Sequence, residues 1–491
     1  MYAVELFHTL RQKRIIGKLP NEIEDLVIDS RSVQPGSVFI CIKGYTVDGH
    51  NYAQQAVDNG ATVIVTEKKL DLAGDVCQVI VQSTDRTLGI LASKFYDYPS
   101  KDLSMFGVTG TNGKTSVAGI IHNILIGMGD KCAMAGTIGF NLNGVLYESA
   151  NTTSDALTTQ QMIFRAEMEG CRAMVMEVSS HGLSLGRLAG VDYDVAIFTN
   201  LTHDHLDFHG TMEEYGHAKG LLFSQLGQDL EKNKHIVLNA DDAWSTRYAA
   251  MTPYPVWTYG LKNEAMFKAE NYVYGKGKTS FDMITPEGTF PITMNLLGEF
   301  NIYNVLAATA ALYARDFELQ AIIEQIENLP PVKGRMERVT TDLPIEMYID
   351  YAHTPDAIEK AIDAAMPYKK RGSKIIFLIG TGGNRDTMKR PDMGKKASAA
   401  DYVVLTTDDP RYEEYDSITS GMEKGMLHEN YACIGDRADA VRHAVEVAEP
   451  GDIIIFAGKG HEDYQIIGNT KYPHSDAQIA IEAGKVKFGI K

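Results

Sequence analysis

The 491-residue sequence has only five cysteines, at positions 41, 77, 132, 171 and 433, with no CxxC pair and no Cys/His cluster. That scatter supplies neither a zinc ligand set nor a disulfide framework, and it fits a reducing compartment. No uninterrupted run of 18 apolar residues occurs, so no membrane span is expected. The opening stretch "MYAVELFHTLRQKRIIG" lacks an apolar h-region, so no signal peptide is read. Basic residues are the minority: Lys and Arg number 47 against 64 Asp and Glu, for a net charge of −17. A general nucleic-acid binder would need a basic face, so that class is excluded. A small anionic ligand in a local basic pocket stays compatible. No internal repeat or low-complexity tract is present. The expectation is a soluble cytoplasmic protein, monomeric, with no nucleic-acid partner and no membrane insertion.

What is present is α/β patterning over a length that suits about three domains. Residues 1–103 mix short strands and helices, with "VFICIKG" as a strand and "YAQQAVDNGATVIVTE" as helix, turn and strand. The turn formers of "FYDYPSKD" close this segment. From 104 to 334, the apolar runs "LSMFGVTG", "AMVMEVSS", "VAIFTN" and "HIVLN" alternate with helical patterns, which predicts a parallel sheet covered by helices. The stretch 265–300 reads instead as short antiparallel strands inserted at the sheet edge. "ENLPPVKGR" marks the second boundary. Residues 335–491 then repeat the alternation through "PIEMYIDYAH", "SKIIFLIG", "ADYVVLTT" and "GDIIIFAG", predicting a doubly wound, Rossmann-like α/β domain.

The segment "FGVTGTNGKTS" joins a predicted strand to the apolar helix "VAGIIHNILIGMG". Such a loop lets backbone N–H groups approach phosphate, and the helix N-terminus favours an anion. Gly110, Thr111, Asn112, Gly113, Lys114, Thr115 and Ser116 are therefore candidate nucleotide contacts. Lys114 would reach the β- and γ-phosphates, and Thr115 would ligate Mg²⁺. The full P-loop pattern wants a further glycine where Val108 stands, so this is a variant.

In an open parallel sheet, ligands bind beyond the carboxyl ends of the strands. Three predicted strands of residues 335–491 end in loaded loops. One leads to Arg385, a second to Asp408, Asp409, Pro410 and Arg411, and a third to Gly458, Lys459 and Glu462. Arginine forks suit carboxylates and acids suit ammonium groups, so a guest carrying both fits this set.

The variant "GTNGKT" resembles the Mur ligase and folylpolyglutamate synthetase superfamily. The ordered motifs "DSR", "NTTSD", "EVSSHGL", "TNLTHDHLDFHG", "YGHAKGLLF", "GEFNIYN", "GRME", "DYAHTPD", "GGNRD" and "GKGHE" narrow the resemblance to the tripeptide-synthetase (MurE) branch of the Mur ligases, over nearly the whole chain. The resemblance implies a UDP-sugar-binding domain at 1–103, an ATP-binding domain at 104–334 and an amino-acid-binding domain at 335–491. It implies ATP and Mg²⁺ as cofactors. It implies amide-bond formation on UDP-N-acetylmuramoyl-L-alanyl-D-glutamate through an acyl phosphate.

Residue roles follow from the same resemblance. Glu177, at a strand end where a carboxylate can reach a phosphate-held metal, and His205 would be metal ligands. Lys219 would be carbamylated and so become an anionic metal ligand. Asn301 and Asn304 would border the adenine, while Arg335, Asp350 and His353 would contact ATP. Lys389 would approach the phosphate. Ser30, Asn151, Thr152, Thr153, Ser179, Arg187 and Lys219 would hold the UDP-muramoyl substrate, although Leu185 stands where the family often has a polar contact. In the family, Asp-Asn-Pro-Arg marks enzymes that add meso-diaminopimelate, because the arginine pairs its second carboxylate. Here the motif is Asp-Asp-Pro-Arg, with Arg411 retained and Asp409 replacing Asn. The expected amino acid is meso-diaminopimelate, with L-lysine as the alternative. A folylpolyglutamate-synthetase-type ligase or a regulatory nucleotide switch would share the P-loop.

Overall fold

Residues 1–44, 47–149, 151–275 and 277–490 are described in a computed structural model. They form two compact units: 1–109 with 129–196 and 218–234, and 110–128 with 197–217 and 235–491.

In the first unit, a five-stranded sheet is built from short, almost wholly buried strands. Ser37–Ile40, Val63–Thr66 and Cys77–Ile80 pair in parallel, as continuous apolar runs covered on both faces should. Asp25–Val27 and Arg14–Ile16 add its edges, the latter antiparallel. A second set of strands runs in parallel: Ala173–Glu177 lies between Ser104–Thr109 and Cys132–Gly136. The helix Thr84–Phe95 starts at Ser83, whose hydroxyl accepts from the Arg86 N–H, and buries its apolar stripe in the first core.

The second unit holds two α/β layers. His235–Asn239 pairs in parallel with Val256–Gly260, and this with Phe267–Gly275. Then Phe267–Gly275, Lys278–Thr285 and Gly288–Met294 run antiparallel, with Gly288–Met294 at the sheet edge. This is the antiparallel insertion at the sheet edge expected over 265–300. The helix Glu299–Ala314, buried along nearly its whole length, packs on these strands.

The other layer is a six-stranded sheet. Its four central strands, Glu346–Asp350, Ile453–Ala457, Ile375–Thr381 and Tyr402–Thr407, are all parallel. Separate apolar clusters fill its two faces, which is the doubly wound arrangement the sequence predicts. All four strands therefore deliver their loops to one edge. Among the described residues, no helix is long and apolar enough to cross a membrane, and all five cysteines are free thiols.

Candidate active site

The strand Ser104–Thr109 ends at Gly110, and the helix Lys114–Gly127 begins at Lys114. Gly110 has φ 149°, and a Cβ there would lie 1.8 Å from the Thr199 hydroxyl oxygen. Gly113 has φ 88°, and its Cβ would meet Asn304 Oδ1 at 2.8 Å. Only glycine fits either place. The Thr199 hydroxyl donates to the Asn112 carbonyl (2.6 Å), and the Asn112 N–H donates to Asn200 Oδ1 (3.0 Å). Lys114 Nζ donates to the carbonyls of Gly110 (3.0 Å) and Thr111 (2.8 Å). The loop is thus held in shape by neighbouring backbone and side chains.

Other predicted nucleotide residues of the second unit lie on this loop or beside the loops that adjoin it. Asn304 Nδ2 donates to Asn301 Oδ1 at 3.0 Å, both side chains being buried. Arg335 donates to the Thr115 hydroxyl at 3.0 Å and lies over the Tyr351 ring at 4.5 Å. Asn112 donates to Asp356 at 2.8 Å, where the helix Pro355–Ala365 starts. Asp350 accepts from the N–H groups of Met336 (2.7 Å) and Ala352 (2.8 Å). Burial raises its pKa against the pull of Arg335 and these two bonds.

The cluster "THDHLDFHG" places Asp204 at its centre. Asp204 is buried, with Lys389 Nζ at 3.2 Å, His205 Nε2 at 3.4 Å and His353 Nε2 at 3.9 Å. Burial alone would raise this carboxyl, but Lys389 and the two histidines outweigh it and hold it well below the carboxylate range. The His353 side chain keeps 35% of its surface exposed. Desolvation on its enclosed side, helped by the Lys389 cation, nonetheless lowers its pKa. His205 itself has φ 55°, a left-handed conformation rare for a non-glycine residue. Asp204 is not among the residues that the sequence singles out; its position between His203 and His205 is the local signal for it.

In the first unit, Glu177 ends its strand with 2% exposure. Thr137 holds both its oxygens, through its N–H to Oε1 (2.9 Å) and its hydroxyl to Oε2 (3.0 Å). Thr152 meets the same Thr137 hydroxyl at 3.1 Å. The Thr153 hydroxyl donates to the Glu177 carbonyl (2.9 Å) and accepts from the Ser179 N–H (3.0 Å). Arg187 donates to the Thr153 carbonyl at 2.9 Å. Five predicted residues therefore share one hydrogen-bonded network, whereas Asn151 is exposed and Ser30 bonds elsewhere, to Gln55 at 2.9 Å. Lys219, on the helix Met212–Ser224, is 1% exposed. Its side chain is therefore enclosed by the protein and not a solvated surface cation.

At the ends of the six-stranded sheet, Lys459 occupies the middle of the acidic loops. Its Nζ lies 2.7 Å from Asp409, 2.7 Å from Glu462 and 2.9 Å from Asp408. The Asp408 contact is an ion pair without hydrogen-bond geometry. Burial would lower the lysine's pKa, but the three carboxylates outweigh it and raise it. Burial lifts Glu462 despite Lys459, whereas Asp408 is lowered because Lys459 and Arg437 overcome its desolvation. Arg411, at φ 51°, donates to the Gly383 carbonyl (3.1 Å) and lies 3.7 Å from Asp409 Oδ2. Arg385 is exposed. Arg390 grips Glu413 with both arms (2.6 and 2.8 Å), tying the loop after Ile375–Thr381 to the loop after Tyr402–Thr407.

Three regions match known domain families in chain order. They are the Mur ligase family catalytic domain over 22–96, the Mur ligase middle domain over 108–312 and the Mur ligase glutamate ligase domain over 334–460. The chain belongs to the Mur ligase family. Like the family, it is a three-domain α/β protein. Among curated Mur ligases, the UDP-N-acetylmuramoyl-L-alanyl-D-glutamate–L-lysine ligase of Staphylococcus haemolyticus is 49% identical over 490 residues, covering 100% of this chain and 99% of that one. The ligase of the same name from Staphylococcus aureus (strain COL) is 48% identical over the same length. A solved UDP-N-acetylmuramoyl-L-alanyl-D-glutamate–2,6-diaminopimelate ligase is 31% identical and superimposes with a TM-score of 0.66 over 95% of each chain. MurF from Acinetobacter baumannii, at 19% identity and a TM-score of 0.69, shares the Mur ligase fold. The high-identity relatives thus carry L-lysine in their names, where the retained Arg411 had led to an expectation of meso-diaminopimelate. In this chain Asp409 Oδ2, at 3.7 Å, already faces the Arg411 guanidinium.

Proposed function

We propose that this Mur ligase joins the α-amine of L-lysine to UDP-N-acetylmuramoyl-L-alanyl-D-glutamate, driven by ATP through an acyl phosphate. The observation that carries this reading is the 48–49% identity, over the whole length, to L-lysine ligases. The charge balance at the strand ends supports it: three carboxylates face two cations, Lys459 and Arg411, so one negative charge is left over. An ε-ammonium matches that surplus, and a second carboxylate does not. Exposed Arg385 is then available to the amino acid's own carboxylate.

In this reading, residues 1–103 bind the UDP-sugar, 104–334 bind ATP and 335–491 bind the amino acid; the family matches over 22–96, 108–312 and 334–460 follow these segments to within one residue. Backbone N–H groups from Gly110 to Ser116 and the helix N-terminus receive the phosphates, with Lys114 against them. Asn301, Asn304, Arg335, Asp350 and His353 hold the rest of the nucleotide. Thr152, Thr153, Ser179 and Arg187 orient the muramoyl dipeptide. Lys389 lies against Asp204 until an anionic phosphoryl group offers a stronger partner. In the first unit Glu177 and a carbamylated Lys219, and in the second Thr115 and His205, are mostly oxygen donors of the kind that suits Mg²⁺, which would neutralise phosphate charge.

The test is phosphate release with ATP and the UDP-muramoyl dipeptide, run with L-lysine and with meso-diaminopimelate in parallel. Release that requires both acceptors and prefers lysine is the expected result. Release without either acceptor would sink the ligase reading, and a preference for diaminopimelate would restore the second reading, which the presence of Arg411 favours.

A further inference from the structure

Among the described residues, Arg437 is the largest side chain with essentially no exposed surface. It opens the helix Arg437–Val447 and points beneath the amino-acid loops. Nη1 donates to the carbonyl of Thr407 (3.2 Å), and Nη2 to that of Ala457 (2.9 Å). Those carbonyls belong to the last residues of the strands Tyr402–Thr407 and Ile453–Ala457. The two strands are not neighbours, because Ile375–Thr381 runs between them. The guanidinium crosses that middle strand at Gly380, where a Cβ would lie 2.7 Å from Nη1. Asp476 takes two further donors, from Nε at 3.0 Å and from Nη2 at 2.6 Å, and so cancels the charge.

The next residue after Thr407 is Asp408, and the loop after Ala457 leads through Lys459 to Glu462. Gln465 braces the same corner, donating to the Asp408 carbonyl at 2.6 Å. A fully buried arginine cannot touch the amino acid. It fixes instead where two of the three carboxylates begin.

We infer that Arg437 is a positioning residue for amino-acid recognition, clipping two strand ends across a third so that Asp408 and Glu462 stand at the spacing an incoming ammonium group requires. This inference rests on the amino-acid site proposed above. It adds a residue that no substrate contact would identify, and it gives Gly380 a reason: the glycine is the channel through which the clip passes.

The decisive variant is Arg437→Met combined with Asp476→Leu in the full chain. Replacing a buried ion pair by apolar groups of similar size commonly leaves folding intact, whereas removing one partner does not. The expected result is a KM for L-lysine raised by about tenfold, the worth of one lost charge-assisted hydrogen bond, with the KM for ATP within about twofold of wild type. A merely structural arginine would lower the active fraction, and so kcat, leaving both KM values in place. That outcome overturns the inference, as does an equal rise in both. If the double variant fails to fold, Arg437→Lys, which keeps the charge but reaches fewer carbonyls, decides by the same ratio. The ratio is read on whichever diamino acid the wild-type enzyme accepts, so a wrong substrate assignment shows in the wild type and a wrong role for Arg437 only in the variants.

Discussion

Two buried lysines, Lys389 and Lys459, follow strands of the same sheet, yet their surroundings differ in one respect that matters. Lys389 faces a single carboxylate, Asp204 at 3.2 Å, with histidines beyond it. Lys459 faces three carboxylates within 2.9 Å. One acid balances one lysine, so a more highly charged anion can compete for Lys389. Three acids over-balance Lys459, so that lysine is fixed in place and the surplus attracts a further cation. On the proposed reading, two loops on one sheet edge are thereby tuned to opposite guests, a phosphoryl group and an ammonium group.

The sharpest way to break this comparison is Lys459→Met. It leaves one buried and two half-buried acids without their common partner and should cost about 3–5 kcal/mol of stability, measured by urea unfolding. Adding Asp409→Asn should restore part of the loss. Lys389→Ala should instead act on chemistry, lowering kcat by about 10²–10³ in single-turnover phosphate release. Its stability should fall less than that of the Lys459 variant, because His205 and His353 still face Asp204.

Asp408→Asn removes the surplus negative charge and should raise the KM for lysine by about tenfold while sparing ATP. Glu413→Gln is the mildest test, since Glu413 ties the two loops together through Arg390. The hydrogen bonds from Arg390 hold its carboxyl down, at about 2. A depressed carboxyl contributes stability above its unfolded value near 4.5, and that contribution disappears as pH falls through about 2. The variant should therefore be less stable than wild type at neutral pH, with the gap closing across that window.

Much of this was legible in the sequence. The P-loop shows itself because a buried strand, a Gly-rich turn and an apolar helix each carry a local pattern. The parallel strands "SKIIFLIG", "ADYVVLTT" and "GDIIIFAG" show themselves as continuous apolar runs. Their loaded ends follow from topology alone. What stayed hidden were partnerships between residues far apart in the chain. Nothing local to Lys459 says that Asp408 and Asp409 enclose it, and nothing near Asp204 says that Lys389, 185 residues later, lies against it. Arg437 reads as an ordinary helix-start cation, because the strand ends it binds are distant in sequence. The surroundings of Arg411 stayed hidden for the same reason. An arginine counted alone promises a carboxylate partner, and only its neighbourhood reveals that Asp409 already faces it.

On the proposed reading, that Asp409–Arg411 contact makes substrate choice an internal contest. The guanidinium is present in the chain whether or not the substrate has a second carboxylate, and one acid of the same loop competes for it. Exchange between Asp and Asn is a single-base step in the genetic code. A lineage carrying this loop would therefore stand one mutation from offering its arginine to a different amino acid, with the cell-wall chemistry of its descendants depending on a single side-chain oxygen.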